Sequence, residues 1–149
     1  MKYKLIAMDL DGTALQADRS TFSPRLIRAL DLAHKKGIRI IPVTGRQINM
    51  LPPALQPLPQ WADLAVLCNG AKLYRLISGQ LLEEYNLSAH ALQGLIAMTQ
   101  ARDMAIEFSH NSILHLTQRS LELQQCHPYL NFHVNTILAD HGKIMDPLD

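Results

Sequence analysis

The sequence predicts an α/β fold, a partial doubly wound (Rossmann-like) parallel core followed by the beginning of a second α/β unit, on three observations. Apolar runs at 4–10, 38–43 and 64–68 show no polar alternation, the pattern of parallel strands covered on both faces. A helical pattern separates the first two runs. Each run also leads into small or polar residues, at the sheet edge where open α/β folds bind ligands.

The first strand is assigned to 4–10. Ser23 then offers a helix N-cap and Pro24 fits the first helical position, while Leu26, Ile27, Leu30 and Ala33 recur at helical spacing. His34-Lys35-Lys36 and Gly37 end that helix, and its lysines read as a solvated terminus. Strand, helix, strand makes a parallel β-α-β unit with a right-handed crossover. Pro42 removes one ladder donor from the second strand. A connection holding Pro52, Pro53, Pro57 and Pro59 leads to the third strand at 64–68.

The character then changes. Residues 71–77 and 80–86 flank Ser78-Gly79 as a hairpin, which a doubly wound sheet does not need, so a second module is expected to begin about here. Ser88 caps a helix over 89–102, followed by strands at 104–109 and 113–117 and a helix at 118–127. The tail from Asn131 onward alternates apolar and polar residues without a clear stop, and Gly142–Met145 reads as the start of a strand.

Composition narrows the function classes. Of 149 residues 48% are hydrophobic and 18% charged, with a net charge of +1, so there is no basic excess to favour nucleic acid or an anionic membrane. No apolar stretch is long enough for a membrane span, and the run Leu5–Met8 is stopped by Asp9 too early for a signal peptide. Cys68 and Cys126 form no disulfide framework and no C-x-x-C pattern, which points to a reduced, cytoplasmic setting. Among seven histidines the densest group is His127 and His133 with Cys126, at no zinc-binding spacing. Gly142-Lys143 is no Walker loop, since Ile137 stands where its first glycine belongs, and no G-x-S-x-G elbow is present.

The chemistry is concentrated in Asp9-Leu10-Asp11-Gly12-Thr13. Alternation along an extended chain lets Asp9 and Asp11 point to one side and share a crevice. Two neighbouring carboxylates repel, and a hard cation such as Mg²⁺ or a proton relieves the conflict. A Mg²⁺-bound carboxylate can attack phosphorus and form an aspartyl-phosphate, whereas a protonated one can donate to a leaving oxygen. Asp9 suits the first role and Asp11 the second. Gly12 permits a tight turn that brings backbone close to a phosphate. The same residues would also serve a plain turn after a buried strand. Thr44-Gly45-Arg46 after the second strand adds a hydroxyl donor for a phosphoryl oxygen, and Asn69-Gly70 closes the third strand in like manner. Arg46 either reaches a substrate anion or holds the loop through a carboxylate. Asn69 either orients the loop or caps the strand end.

The segments MDLDGTAL, SPRLIRALDLAHKKGIRIIPVTGR and CNGAKLY together resemble the opening of Cof-type phosphatases of the haloacid dehalogenase (HAD) superfamily, over residues 1 to about 86. The resemblance implies Asp9 as nucleophile, Asp11 as general acid/base, Thr44 as phosphate ligand and the Asp11 backbone carbonyl as a Mg²⁺ ligand. It implies a division into a partial HAD core at 1–84, with the first two catalytic motifs, and an incomplete α/β cap at 85–149. It also implies hydrolysis of a small phosphorylated metabolite. A phosphotransferase or phosphomutase using the same phospho-aspartate is an alternative, as is a silent phosphate-binding module.

Members of that family continue with a lysine beside the nucleophile and a G-D-x-x-N-D-type acidic loop. Neither follows here: Lys143 precedes any returning core strand, and Asp140, Asp146 and Asp149 form no such loop. Low or no turnover by this chain alone is therefore expected, with an uncovered edge on the first strand open to self-association.

Overall fold

The computed structural model describes residues 3–100, 102, 104–111, 113–139 and 142–145. Contacts divide the chain into two units, Met1–Tyr85 and Asn86–Asp149. In the first, β1 (Leu5–Asp9) leads through a tight turn and a small hairpin to α1 (Pro24–Lys35), followed by β2 (Arg39–Val43), β3 (Leu64–Leu67), β4 (Lys72–Arg75) and β5 (Gln80–Glu84). The five strands form one sheet in the order β1-β2-β3-β4-β5. β1, β2 and β3 are parallel, and β4 and β5 are antiparallel additions.

Local chemistry sets the helix ends. The Ser23 hydroxyl accepts the Leu26 N–H at 3.2 Å, with Pro24 at the first helical position. Gly37, at φ +76°, turns the chain out of α1. Leu30 is buried in a cluster with Met8, Leu10, Phe22, Ile40 and Trp61. The proline-rich connection is packed rather than loose: Leu55, Trp61 and Ala62 are buried, and the Ala54 N–H donates to the Ser20 carbonyl at 2.9 Å.

Two expectations for this unit need correction. β1 is not covered on both faces: Met8 is buried and Ile6 half-buried, whereas Leu5, Ala7 and Asp9 are exposed. The core lies under one face only, so the unbroken apolar run records a second face that these residues leave open. The hairpin does not open a new module either. β4 pairs with β3 over Leu64↔Arg75 to Leu67↔Lys72 and so extends the parallel sheet.

Pro42 sits inside β2 opposite Met8. The β2–β3 ladder is correspondingly short, Val43↔Val66, continued by the Thr44 N–H to the Val66 carbonyl at 3.0 Å.

The second unit comprises α2 (Ala89–Gln100), β6 (Glu107–His110), β7 (Ile113–Leu116), α3 (Gln118–Gln124), α4 (Pro128–Ala139) and β8 (Lys143–Ile144). Its sheet has the order β6-β7-β8, with β7 and β8 parallel. Ser88 caps α2 by accepting the Ala91 N–H, and Thr117 caps α3 by accepting the Ser120 N–H. Leu116, Val134 and Ile137 form its core. Gly142 is required where β8 begins, because a Cβ there would stand 2.6 Å from the Ile137 carbonyl oxygen.

No element is predicted for the tail between Asn131 and Gly142, yet α4 runs through most of it. Pro128, at the first position of α4, was the available start signal. Asp140, Asp146 and Asp149 lie outside the described residues, as does the side chain of His133.

Candidate active site

The sheet registers place three strand ends side by side. Asp9 is the last residue of β1 and pairs with Val43, which pairs with Val66. Thr44 and Cys68-Asn69-Gly70 therefore follow their strands at the edge where Asp9 ends β1. By strand alternation the Asp9 side chain belongs to the open face, with Leu5 and Ala7. Its Oδ2 accepts a hydrogen bond from the Thr13 hydroxyl at 2.7 Å, which fixes the carboxylate and leaves Oδ1 outside that bond.

Residues Leu10–Ala14 wind into one wide turn closed by the Leu15 N–H on the Leu10 carbonyl, 2.9 Å. Gly12 supplies the positive φ of +77° that this turn needs. Asp11 is thus in a turn and not on the strand, so alternation with Asp9 does not set its direction. Its carboxylate is taken by Arg46, with Nε donating to Oδ2 at 2.9 Å and Nη2 to Oδ1 at 2.7 Å. Arg46 also donates to the Met50 carbonyl and, through Nη2, to the Arg19 carbonyl, both at 3.0 Å. One guanidinium thereby ties together the turn after β1, the hairpin and the segment after β2.

The electrostatics follow from that fork. Hydrogen bonding from Arg46 dominates and holds the Asp11 carboxyl below the usual carboxylate range; partial burial opposes it, and the charges of Arg46 and Arg19 reinforce it. Asp11 in this arrangement is an ionised acceptor.

Thr44 is buried, 4% exposed, and its hydroxyl oxygen accepts the Arg46 N–H at 3.2 Å. Gly45 lies against Asn69: a Cβ on it would be 2.8 Å from Asn69 Oδ1. Asn69 has a φ of +54°, and its N–H donates to the Thr44 carbonyl at 3.2 Å. Cys68 Sγ donates to Oε1 of buried Gln47 at 3.0 Å. Thr44, Gly45, Arg46 and Asn69 thus form one connected loop pair, joined to Asp11 through Arg46.

Two neighbours of the site went unassigned in the sequence. Thr13 stood beside the aspartates without a role. Arg19 stands on the hairpin bridged at Leu15↔Phe22, which Asp18 nucleates by accepting the Ser20 and Thr21 N–H groups, both at 3.0 Å, and the Thr21 hydroxyl at 2.6 Å. Those bonds pull the Asp18 carboxyl down to about 2. The Asp18-Arg19-Ser20-Thr21 string is itself a turn signal that could have located the hairpin.

A family model described as haloacid dehalogenase-like hydrolase matches residues 6–144, nearly the whole chain and all three strand ends. The chain belongs to that family. A Bacillus subtilis relative, YxeH, named as a candidate phosphatase, is 28% identical over 121 residues, 80% of this chain and 44% of its own. A haloacid dehalogenase-like hydrolase structure from B. subtilis superposes with a TM-score of 0.69 at 21% identity, covering 95% of this chain and 54% of the other. The HAD subclass IIB sugar phosphatase BT4131 gives a TM-score of 0.67 at 20% identity, covering 86% and 49%. The expected Cof-type affiliation and the Rossmann-like HAD core hold. The chain spans about half the length of these HAD relatives or less. Among the described residues no helix is long and apolar enough to cross a membrane, and no group of three or more His, Cys, Asp or Glu could hold a metal.

Proposed function

We propose that the chain carries the nucleophile half of a Mg²⁺-dependent phosphomonoester hydrolase acting through an aspartyl-phosphate on Asp9. The observation behind this is the Asp9 carboxylate at the end of β1, fixed through one oxygen by Thr13, with Thr44 and Cys68-Asn69-Gly70 following the two neighbouring strands at the same sheet edge. With Oδ2 engaged, Oδ1 attacks phosphorus in line with the leaving group; the new O–P bond forms as the ester P–O bond breaks, and the departing oxygen takes its proton from Asp11 once that carboxyl has left Arg46 and is protonated. Backbone N–H groups of the Leu10–Ala14 turn and the Thr44 hydroxyl would receive phosphoryl oxygens.

The donors present suit a hard cation: the Asp9 carboxylate and the Asp11 backbone carbonyl are both oxygen ligands. The Asp11 carboxylate is a poorer candidate, since Arg46 occupies both its oxygens. Bound Mg²⁺ would offset the negative charge of the phosphoryl group.

Asp11 serves as the acid/base residue once it parts from Arg46. Paired, it is ionised with both oxygens engaged, so it takes part in neither proton transfer until Arg46 releases it. The same pairing supports a second reading, a phosphate-binding module without turnover. Hydrolysis by these 149 residues alone is expected to be low or nil, because the sequence holds no G-D-x-x-N-D-type acidic loop. Transfer of the phosphoryl group to an alcohol in place of water would use the same Asp9. A small phosphorylated metabolite is the expected substrate, and two cysteines outside any disulfide fit a reduced, cytoplasmic setting.

The test is phosphate release from an aryl phosphate by the purified chain with and without Mg²⁺, beside Asp9→Asn, with phosphate binding followed in parallel. Mg²⁺-dependent release lost in Asp9→Asn supports the hydrolase. Mg²⁺-dependent phosphate binding without release supports the silent module. Absence of both sinks the reading.

A further inference from the structure

The proposed reaction leaves Arg19 unused, although its side chain reaches Asp11. Its backbone is fixed: φ is +54°, its N–H donates to the Gln16 carbonyl at 2.9 Å, and its own carbonyl accepts Arg46 Nη2 at 3.0 Å. Holding a non-glycine residue at that φ costs free energy, so the hairpin presents this side chain against a local preference. The side chain itself is loosely held and 73% exposed. Nε and Nη2 reach the single oxygen Oδ1 of Asp11 at 3.4 and 3.3 Å, where Arg46 Nη2 already sits at 2.7 Å.

Asp11 is therefore satisfied without Arg19. An ion pair so long and so exposed contributes little, so Arg19 can exchange Asp11 for another carboxylate at small cost. The Nε and Nη2 edge of an arginine is a planar fork that matches a carboxylate with two parallel bonds, which one shared oxygen cannot provide. Beside it lies an open cleft of about 500 Å³, lined by Asp11, Gly12, Leu15, Gln16, Ala17 and Arg19.

We infer that Arg19 selects phosphomonoesters bearing a carboxylate a few bonds from the phosphate, the substrate carboxylate replacing Asp11 on the Nε and Nη2 edge. This rests on the phosphomonoesterase reading above. Release of Arg19 from Asp11 leaves the Arg46 fork on Asp11 intact, so binding does not require the site to be dismantled.

The experiment uses two esters with one skeleton, 3-phosphoglycerate and glycerol 3-phosphate, which differ in a carboxylate against a hydroxymethyl group. Binding to the full chain with Mg²⁺ is measured by calorimetry for the native protein, Arg19→Ala and Arg19→Lys, each checked for an unchanged melting transition. The native chain should prefer 3-phosphoglycerate, and Arg19→Ala should lose about five- to tenfold in its affinity while glycerol 3-phosphate is unaffected. Arg19→Lys should recover only part, lacking the fork. Equal losses for both esters, or none for either, overturn the assignment and leave the phosphate site standing. If the native chain binds neither ester, the phosphomonoesterase reading falls and this inference with it.

Discussion

Asp11 and Arg46 set the charge of the site, and their pairing gives it a pH signature. A carboxyl whose folded pKa is depressed stabilises the fold fully above its unfolded pKa, and that contribution is lost as pH falls through the folded value. Arg46→Ala should therefore lower stability most at neutral pH, and the gap to the native protein should narrow in acid without closing, because the bonds to the Met50 and Arg19 carbonyls are lost at every pH. Carboxyl NMR should show Asp11 titrating higher in the variant than in the native chain, where Arg46 holds it down. An unchanged Asp11 titration would mean that the fork seen here does not persist in solution. Gly45 allows a second check, since an added Cβ would come within 2.8 Å of Asn69 Oδ1, the movable end of a side chain. Gly45→Ala should cost about 1 kcal/mol by displacing Asn69. Asn69→Ala in the same chain should remove most of that penalty, and additive losses in a double-mutant cycle would show that the two do not meet.

Single elements carry the fold in proportion to how locally they are specified. Ser23-Pro24 is a complete start signal, and α1 begins where it predicts; Ser23→Ala should cost about 1 kcal/mol in thermal denaturation by orphaning the Leu26 N–H. The parallel strands were legible for a similar reason, because short apolar runs between turn residues leave few alternatives. What could not be read was long-range. Nothing local says that β4 pairs with β3 rather than starting a new sheet, since that register is fixed by Leu64–Leu67 meeting Lys72–Arg75 in space. The Asp11–Arg46 bond spans 35 residues and involves a turn that periodicity cannot describe. α4 was hidden by a composition of Asn, His, Thr and β-branched residues that favours no state strongly, with Pro128 as its main local cue.

At the scale of the whole molecule, the sheet of the first unit is the feature with most consequence. β1 ends the strand order, and Leu5, Ala7 and Asp9 face out from it. An open strand edge beside an exposed apolar face invites pairing with another chain, and we propose self-association through β1. Sedimentation of the native chain should show concentration-dependent association that Leu5→Lys weakens, whereas a monomer at all concentrations would exclude it. The same face carries the nucleophile, so the account meets its most direct test at Asp9. The chain is incubated with an aryl phosphate and Mg²⁺, quenched in acid, and its peptides are weighed by mass spectrometry. The account predicts one phosphoryl group on the peptide containing Asp9, absent in Asp9→Asn; a phosphoryl group on another residue, or none in a chain that binds the ester, would contradict it.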